Sequence, residues 1–123
     1  MNSKKVESFR DLVVWQKSHD LTRELYKTTA KFPKREHNSL ANQLRKSTTS
    51  IPINIALGFK KRGRNAKVHY YRTALSTIEE VRYYLILSSD LGYYKNVEGV
   101  LEECDIIEKM LKRLIRANAS STS

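Results

Sequence analysis

The sequence predicts an all-α protein, an antiparallel up-down-up-down four-helix bundle, and three observations carry that prediction. Only four glycines and two prolines punctuate 123 residues, too few turn-formers for a multi-stranded sheet. Apolar residues recur at three- and four-residue spacing along four long segments, the period of a helix with one buried face. Connections of roughly four to eight residues fold successive helices back on one another. A chain of this length fits one domain around one core.

The first helix opens near Asp11, an acceptable N-cap, and runs to about Lys31 before Pro33 ends it. Val14, Leu21, Leu25 and Phe32 share its inner face, with Trp15 and Tyr26 alongside. The second starts between His37 and Ser39 and reaches Phe59, with Leu40, Leu44, Ile51 and Ile55 inward. Pro52 falls inside it, removes a backbone donor and crowds the Thr48 carbonyl, so helix two is expected to kink there. Hydroxyls of Ser47, Thr48, Thr49 and Ser50 lie near enough to satisfy the freed backbone groups. Asn65 is the expected cap of the third helix, which continues to Leu91 and stops at Gly92, a residue that enters the left-handed region freely. The fourth runs from about Asn96 to Ala117 with Val97, Leu101, Cys104, Leu111 and Leu114 inward; its acids come early and its bases late, which suits the helix dipole. The bundle therefore spans 11–117, between a flexible segment at 1–10 and a disordered tail at 118–123.

Charge points beyond the fold. Lys and Arg number 23 against 13 Asp and Glu, a net charge of +10. The densest run is Phe59 to Lys67, where Lys60, Lys61, Arg62, Arg64 and Lys67 crowd the junction between helices two and three. Bundle topology gathers that junction with Lys4, Lys5 and Arg10 at the start of helix one and with Lys112, Arg113 and Arg116 at the end of helix four. Asp90, Glu98, Glu102 and Glu103 collect at the opposite end. A basic run alone reads as a solvated loop, whereas a surplus focused on one pole is the footprint of a polyanion. Arg62 and Arg64 can fork onto phosphate oxygens, Lys60, Lys61 and Lys67 add point charges, and the amides opening helix three can add donors. The candidate nucleic-acid-binding set is Lys60, Lys61, Arg62, Arg64, Lys67, Lys112, Arg113 and Arg116. Its expected partner is RNA or an RNA/DNA hybrid, held through phosphates without base specificity.

Helix three has one apolar face too many. Val68, Tyr71, Leu75, Ile78 and Leu85 supply the stripe that a monomeric bundle needs; Tyr70, Ala74, Val81 and Tyr84 form another, and Tyr83 to Leu87 is apolar nearly all round. Such a helix is covered from more than one side, by a broad intramolecular core or by a partner. The expectation is a homo-oligomer with Tyr70, Ala74, Val81, Tyr83 and Tyr84 at the contact. For Tyr70, stacking on a base is the other use open to an aromatic ring.

Catalytic readings find no support. His19, His37 and His69 lie in separate segments with no second ligand at metal spacing, and no inward Glu-x-x-His pair occurs. Adjacent Glu79 and Glu80 face different directions, and no P-loop, dinucleotide fingerprint or nucleophile elbow is present. The protein is expected not to be an enzyme and to need neither cofactor nor metal. Cys104 sits in an apolar helical stripe and reads as a buried small hydrophobe in a reducing compartment. Without an apolar run of about eighteen residues, or an apolar signal core after Met1-Asn2-Ser3-Lys4-Lys5, a cytoplasmic protein with no membrane partner is expected.

Several ordered segments carry a resemblance: Phe9-Arg10-Asp11-Leu12-Val13-Val14-Trp15-Gln16-Lys17, Gln43-Leu44-Arg45-Lys46, Ser50-Ile51-Pro52-Ile53-Asn54-Ile55-Ala56 with Gly58-Phe59, and Asp90-Leu91-Gly92-Tyr93. Over nearly the whole chain they resemble the four-helix-bundle family of 23S rRNA intervening-sequence proteins. The resemblance implies an antiparallel four-helix protomer assembled as a homopentamer. It extends to the accessory variability (Avd) proteins of diversity-generating retroelements, basic pentamers that bind nucleic acid and a reverse transcriptase. It brings no catalytic residues. Where the family usually has a glutamate between Ala56 and Gly58, Leu57 stands here and leaves the pole more positive. With the net charge of +10, that departure favours an accessory protein of a diversity-generating retroelement. The alternatives are an rRNA intervening-sequence-encoded protein of unassigned role and a protein-only adaptor docking acidic partners.

Overall fold

The computed structural model describes residues 5–119 and contains four helices, α1 (Val13–Thr29), α2 (Leu40–Lys60), α3 (Arg64–Asp90) and α4 (Val97–Ala119). Short 3-10 turns at Phe9–Asp11 and Lys34–Glu36 precede α1 and α2, and no strand occurs among the described residues. Each helix packs against its neighbours in sequence and α4 returns to α1, so four helices enclose one core. That core contains Val14, Leu21 and Leu25 of α1, Leu44, Ile51 and Ile55 of α2, Ala74, Ile78, Val81 and Leu85 of α3, and Val100, Cys104, Ile107 and Leu111 of α4. Lys4 and the tail Ser120–Ser123 lie outside the described residues.

Element boundaries differ from the sequence reading where side chains settle them. α1 starts at Val13 because Asp11 serves the turn before it: its carboxylate accepts from the amides of Glu7 and Ser8, each at 3.0 Å, while the Ser8 hydroxyl accepts from the Arg10 amide. Order thus begins ahead of residue 11. Gly63, not Asn65, occupies the cap position of α3, and no side chain bonds there. α4 passes Ala117, with the Asn118 amide donating to the Leu114 carbonyl at 2.8 Å. Its inner face is Val97, Val100, Cys104, Ile107, Leu111 and Ile115, whereas Leu101 and Leu114 are half-buried. α3 ends at Asp90 with Leu91 as its cap, and Gly92 follows in the left-handed region at φ +82°. Pro52 sits buried inside the continuous α2. The hydroxyls near it are engaged elsewhere: Thr48 and Thr49 donate to the carbonyls of Leu44 and Arg45 one turn back, Ser47 donates to Glu80, and Ser50 accepts from Asn54.

Each seam has its own fastening. α1 meets α2 through Arg45, which donates to the Thr29 hydroxyl at 2.8 Å and the Tyr26 carbonyl at 3.0 Å while lying over the Tyr26 ring. α2 and α3 approach closely at Gly58, where an added Cβ would fall 2.6 Å from Tyr71 Cε1 and 2.9 Å from Cδ1. α3 and α4 are joined by Arg82, which bonds Glu79, Asp105 and Glu108. The α4–α1 seam carries a liability instead. Burial first, and then the charge of Glu24, hold the Glu103 carboxyl above its ordinary pKa.

Two stability predictions follow from these seams. Gly58→Ala gains helix propensity of about 0.8–1 kcal/mol but drives a methyl into the buried Tyr71 ring, an overpacking that costs about 1–3 kcal/mol. Net destabilisation is expected, read as a lower urea midpoint; an unchanged midpoint would mean the ring yields freely. Glu103 has a raised folded-state pKa, so the unfolded chain loses its proton first, and stability falls as pH rises from the ordinary carboxyl range through the folded value. Glu103→Gln is therefore expected to raise the melting temperature at pH 7 and to match wild type near pH 3. A variant that melts lower than wild type only at pH 7 would refute the repulsion at this seam.

Candidate nucleic-acid interface

The start of α1, the α2–α3 junction and the end of α4 do share one end of the bundle. Phe9 and Trp15 line an apolar depression of about 440 Å³ with Pro52, Ile53 and Ala56, which sets the start of α1 beside the end of α2. Arg113 flanks Leu12, Val13 and Ala117 around a second depression of about 310 Å³, which sets the end of α4 there too. Arg10, Lys60, Lys61, Arg62, Arg113 and Arg116 are exposed, and Arg64 is half-buried. At the far end, Asp90, Glu98 and Glu102 are exposed, while Glu103 lies part-way along the α4–α1 seam.

The junction is held rigidly for so charged a segment. Lys67 Nζ donates to the carbonyl of Phe59 at 2.7 Å and of Gly58 at 3.2 Å, closing the C-terminus of α2 where carbonyls lack intrahelical partners. Desolvation there holds its pKa below the ordinary value. Lys61 and Gly63 then take extended backbone, so the chain crosses from α2 to α3 in three residues with Arg62 at the centre. Lys61 Nζ stands 5.3 Å from the centroid of the Tyr70 ring, a cation–π contact that fixes one lysine over one aromatic face.

Some residues predicted for the site do other work. Lys67 caps the C-terminus of α2, and Lys112 is paired with Glu108 at 2.9 Å. Bonds from Lys112 and Arg82 hold the Glu108 carboxyl below its ordinary pKa. Of the predicted oligomer contacts, Ala74 and Val81 are 0% exposed and belong to the protomer's own core. Tyr84 packs against that core and Tyr70 lies half-buried beneath Lys61. Tyr83 is the member of that set left open, at 60% exposed, with Ile86 nearby at 45%. Cys104 is buried, which pushes its thiol up to about 12 and keeps it protonated. His19 stacks on Trp15 and His37 bonds the Phe32 carbonyl, so the histidines serve separate local structures.

Arg72, exposed on α3, is missing from the candidate set drawn from the sequence. A sequence signal for it exists: between Glu36 and Glu79, residues 37–78, there is no Asp or Glu, while Arg45, Lys46, Lys60, Lys61, Arg62, Arg64, Lys67 and Arg72 all fall there. The basic surface therefore extends over α2 and the first half of α3, and is densest at the junction between them.

Comparison with known proteins agrees with this architecture. Residues 10–113 match the family described as 23S rRNA-intervening sequence protein. A 1.70 Å crystal structure of a protein of unknown function of the S23 ribosomal protein family, from Bacteroides thetaiotaomicron VPI-5482, is similar in fold at a TM-score of 0.76. It is 25% identical, over 85% of this chain and 96% of that one. No curated protein matches the chain. With a match that spans all four helices, the chain belongs to the 23S rRNA-intervening sequence protein family.

Proposed function

We propose that this protein is a non-catalytic, homo-oligomeric scaffold that binds RNA through its phosphates at the basic pole, in the role of an intervening-sequence protein. The observation that carries the reading is the acid-free stretch 37–78, which covers α2 and the first half of α3 and whose hydrogen-bonded turn between them exposes Lys60, Lys61 and Arg62. Charge held in place without a neutralising carboxylate is a standing site for phosphate. The matched family description names an rRNA intervening sequence and no reverse transcriptase, so this role fits better than that of a retroelement accessory protein. Leu57, which favoured the retroelement reading, is 43% exposed beside Ile53 at 54%, and its apolar side chain suits a protein contact.

Oligomerisation is supported by two apolar surfaces on one protomer. Tyr83 and Ile86 lie on α3, while Ile53, Leu57 and Tyr26 lie on α1 and α2. Two different surfaces favour head-to-tail contacts, which close into a ring such as the pentamer the family resemblance implies. Light scattering is expected to report an oligomer, and Tyr83→Glu to give a folded monomer, because the side chain is exposed in the protomer and desolvated only in the contact. Wild type that stays monomeric at micromolar concentration would remove the assembly from the proposal.

RNA binding is tested by its salt dependence. With about six to ten phosphates neutralised, affinity for mixed-sequence RNA should fall by roughly 10³ to 10⁵ between about 50 and 200 mM salt. Changing Lys60, Lys61 and Arg62 together to Glu should flatten that slope without unfolding the bundle, since exposed loop charges contribute little to stability. The same change at Lys27, Lys31 and Lys34, all exposed toward the opposite end, should matter far less. Equal losses would show that the charge acts diffusely, and salt-insensitive or absent binding would favour the protein-only adaptor.

A further inference from the structure

Beyond the junction, the outer face of α3 carries an open groove of about 600 Å³ lined by Arg64, Asn65, His69, Arg72, Thr73 and Ser76, with Val68 its one apolar member. These positions come in pairs every four residues, so they form a single stripe along the first half of the helix. No carboxylate lines the groove, and among the described residues neither Arg64 nor Arg72 forms an ion pair. The neighbouring acids in sequence are Glu36 and Glu79, so the stripe stays uncompensated until the helix is past Ser76.

Resting on the RNA-binding reading above, we infer that this groove is a track for single-stranded RNA, which continues from the junction down the side of α3. Arg64 and Arg72 are eight residues apart, about 12 Å of helix rise, a separation too wide for one phosphate group and suited to two separate phosphates of one strand. Each guanidinium can fork onto its own phosphate. Thr73 donates its hydroxyl proton to the His69 carbonyl at 3.0 Å, so its oxygen faces a ligand as an acceptor. A ribose 2′-hydroxyl is a donor that DNA lacks. Val68 and the exposed His69 ring, which stands edge-on to Tyr70 with centroids 5.2 Å apart, offer unpaired bases a contact surface that a duplex does not need. Glu79 and Tyr83, further along α3, mark where the track gives way to acid and apolar surface.

The test is fluorescence anisotropy of the full chain with a labelled, mixed-sequence single-stranded RNA of about twelve nucleotides, a length within the usual range of such sites. Replacing Arg64 and Arg72 together by Gln should lower affinity at low salt by about tenfold or more. It should also reduce the slope of log affinity against log salt by about 1.4, at about 0.7 for each phosphate on a single strand. Thr73→Val should narrow the preference for RNA over DNA of the same sequence. Unchanged melting of the double variant excludes unfolding as the cause. A double variant that keeps wild-type affinity and slope, while the junction triple loses both, would overturn the groove and leave the junction site standing. Equal wild-type affinity for the duplex would overturn the single-strand assignment, and no wild-type binding to any RNA would overturn both this inference and the reading it rests on.

Discussion

The close approach of α2 and α3 at Gly58 is the constraint on which the charged end depends. Glycine leaves room for the Tyr71 ring, which is 2% exposed, and the contact brings Lys67 within reach of the last carbonyls of α2. Lys67 is thereby spent on the backbone of α2, where the partial negative charge of a helix C-terminus meets it. One of the five cations in the run is thus compensated, and the other four are carried on a junction that cannot splay. Without that lock, mutual repulsion among Lys60, Lys61, Arg62 and Arg64 would favour a looser junction; with it, the repulsion is left for a ligand to relieve.

Legibility in the sequence followed the width of each helix's buried arc. In α1 and α2 the large apolar residues mark a single face, and Val14, Leu21, Leu25, Leu40, Leu44, Ile51 and Ile55 could be read directly from their spacing. α3 packs on both α2 and α4, so Ala74 and Val81, which look surplus to a single stripe, are core residues facing between two neighbours. The surplus that remains, Tyr83 and Ile86, is smaller than the sequence suggested. At the candidate site, the exposed junction cations were legible because loop position and charge suffice. Lys67 was not, because nothing in its spacing reveals carbonyls across a helix–helix contact. The Lys112–Glu108 pair could have been found, since a separation of four residues places the two on one helix face.

Several acids of this protein are tied down at helix seams. Arg82 gathers Glu79, Asp105 and Glu108 at the α3–α4 seam, while Glu24 and Glu103 crowd each other between α1 and α4. Carboxylates held there cannot neutralise the α2–α3 hairpin, which has none of its own between Glu36 and Glu79. Segregation of charge is therefore built in twice, once by where acids are omitted and once by where they are tied down. The field that results is directional, which a net charge alone would not ensure.

That direction matters more in an assembly than in a protomer. Arg72, Ser76, Glu79, Tyr83 and Ile86 recur at three- and four-residue spacing along α3, so one face of one helix changes from basic groove to apolar patch along its length. Contacts made through the second half leave the first half open, and every copy in a ring then presents the same basic track at the same end. Individually weak, base-independent phosphate contacts become effective when they are linked, because a strand held by one protomer meets the next at high effective concentration. A scaffold of the proposed kind would need no deep pocket and no catalytic group: its affinity would come from repetition, and its selectivity from the strandedness and ribose of what can lie along α3.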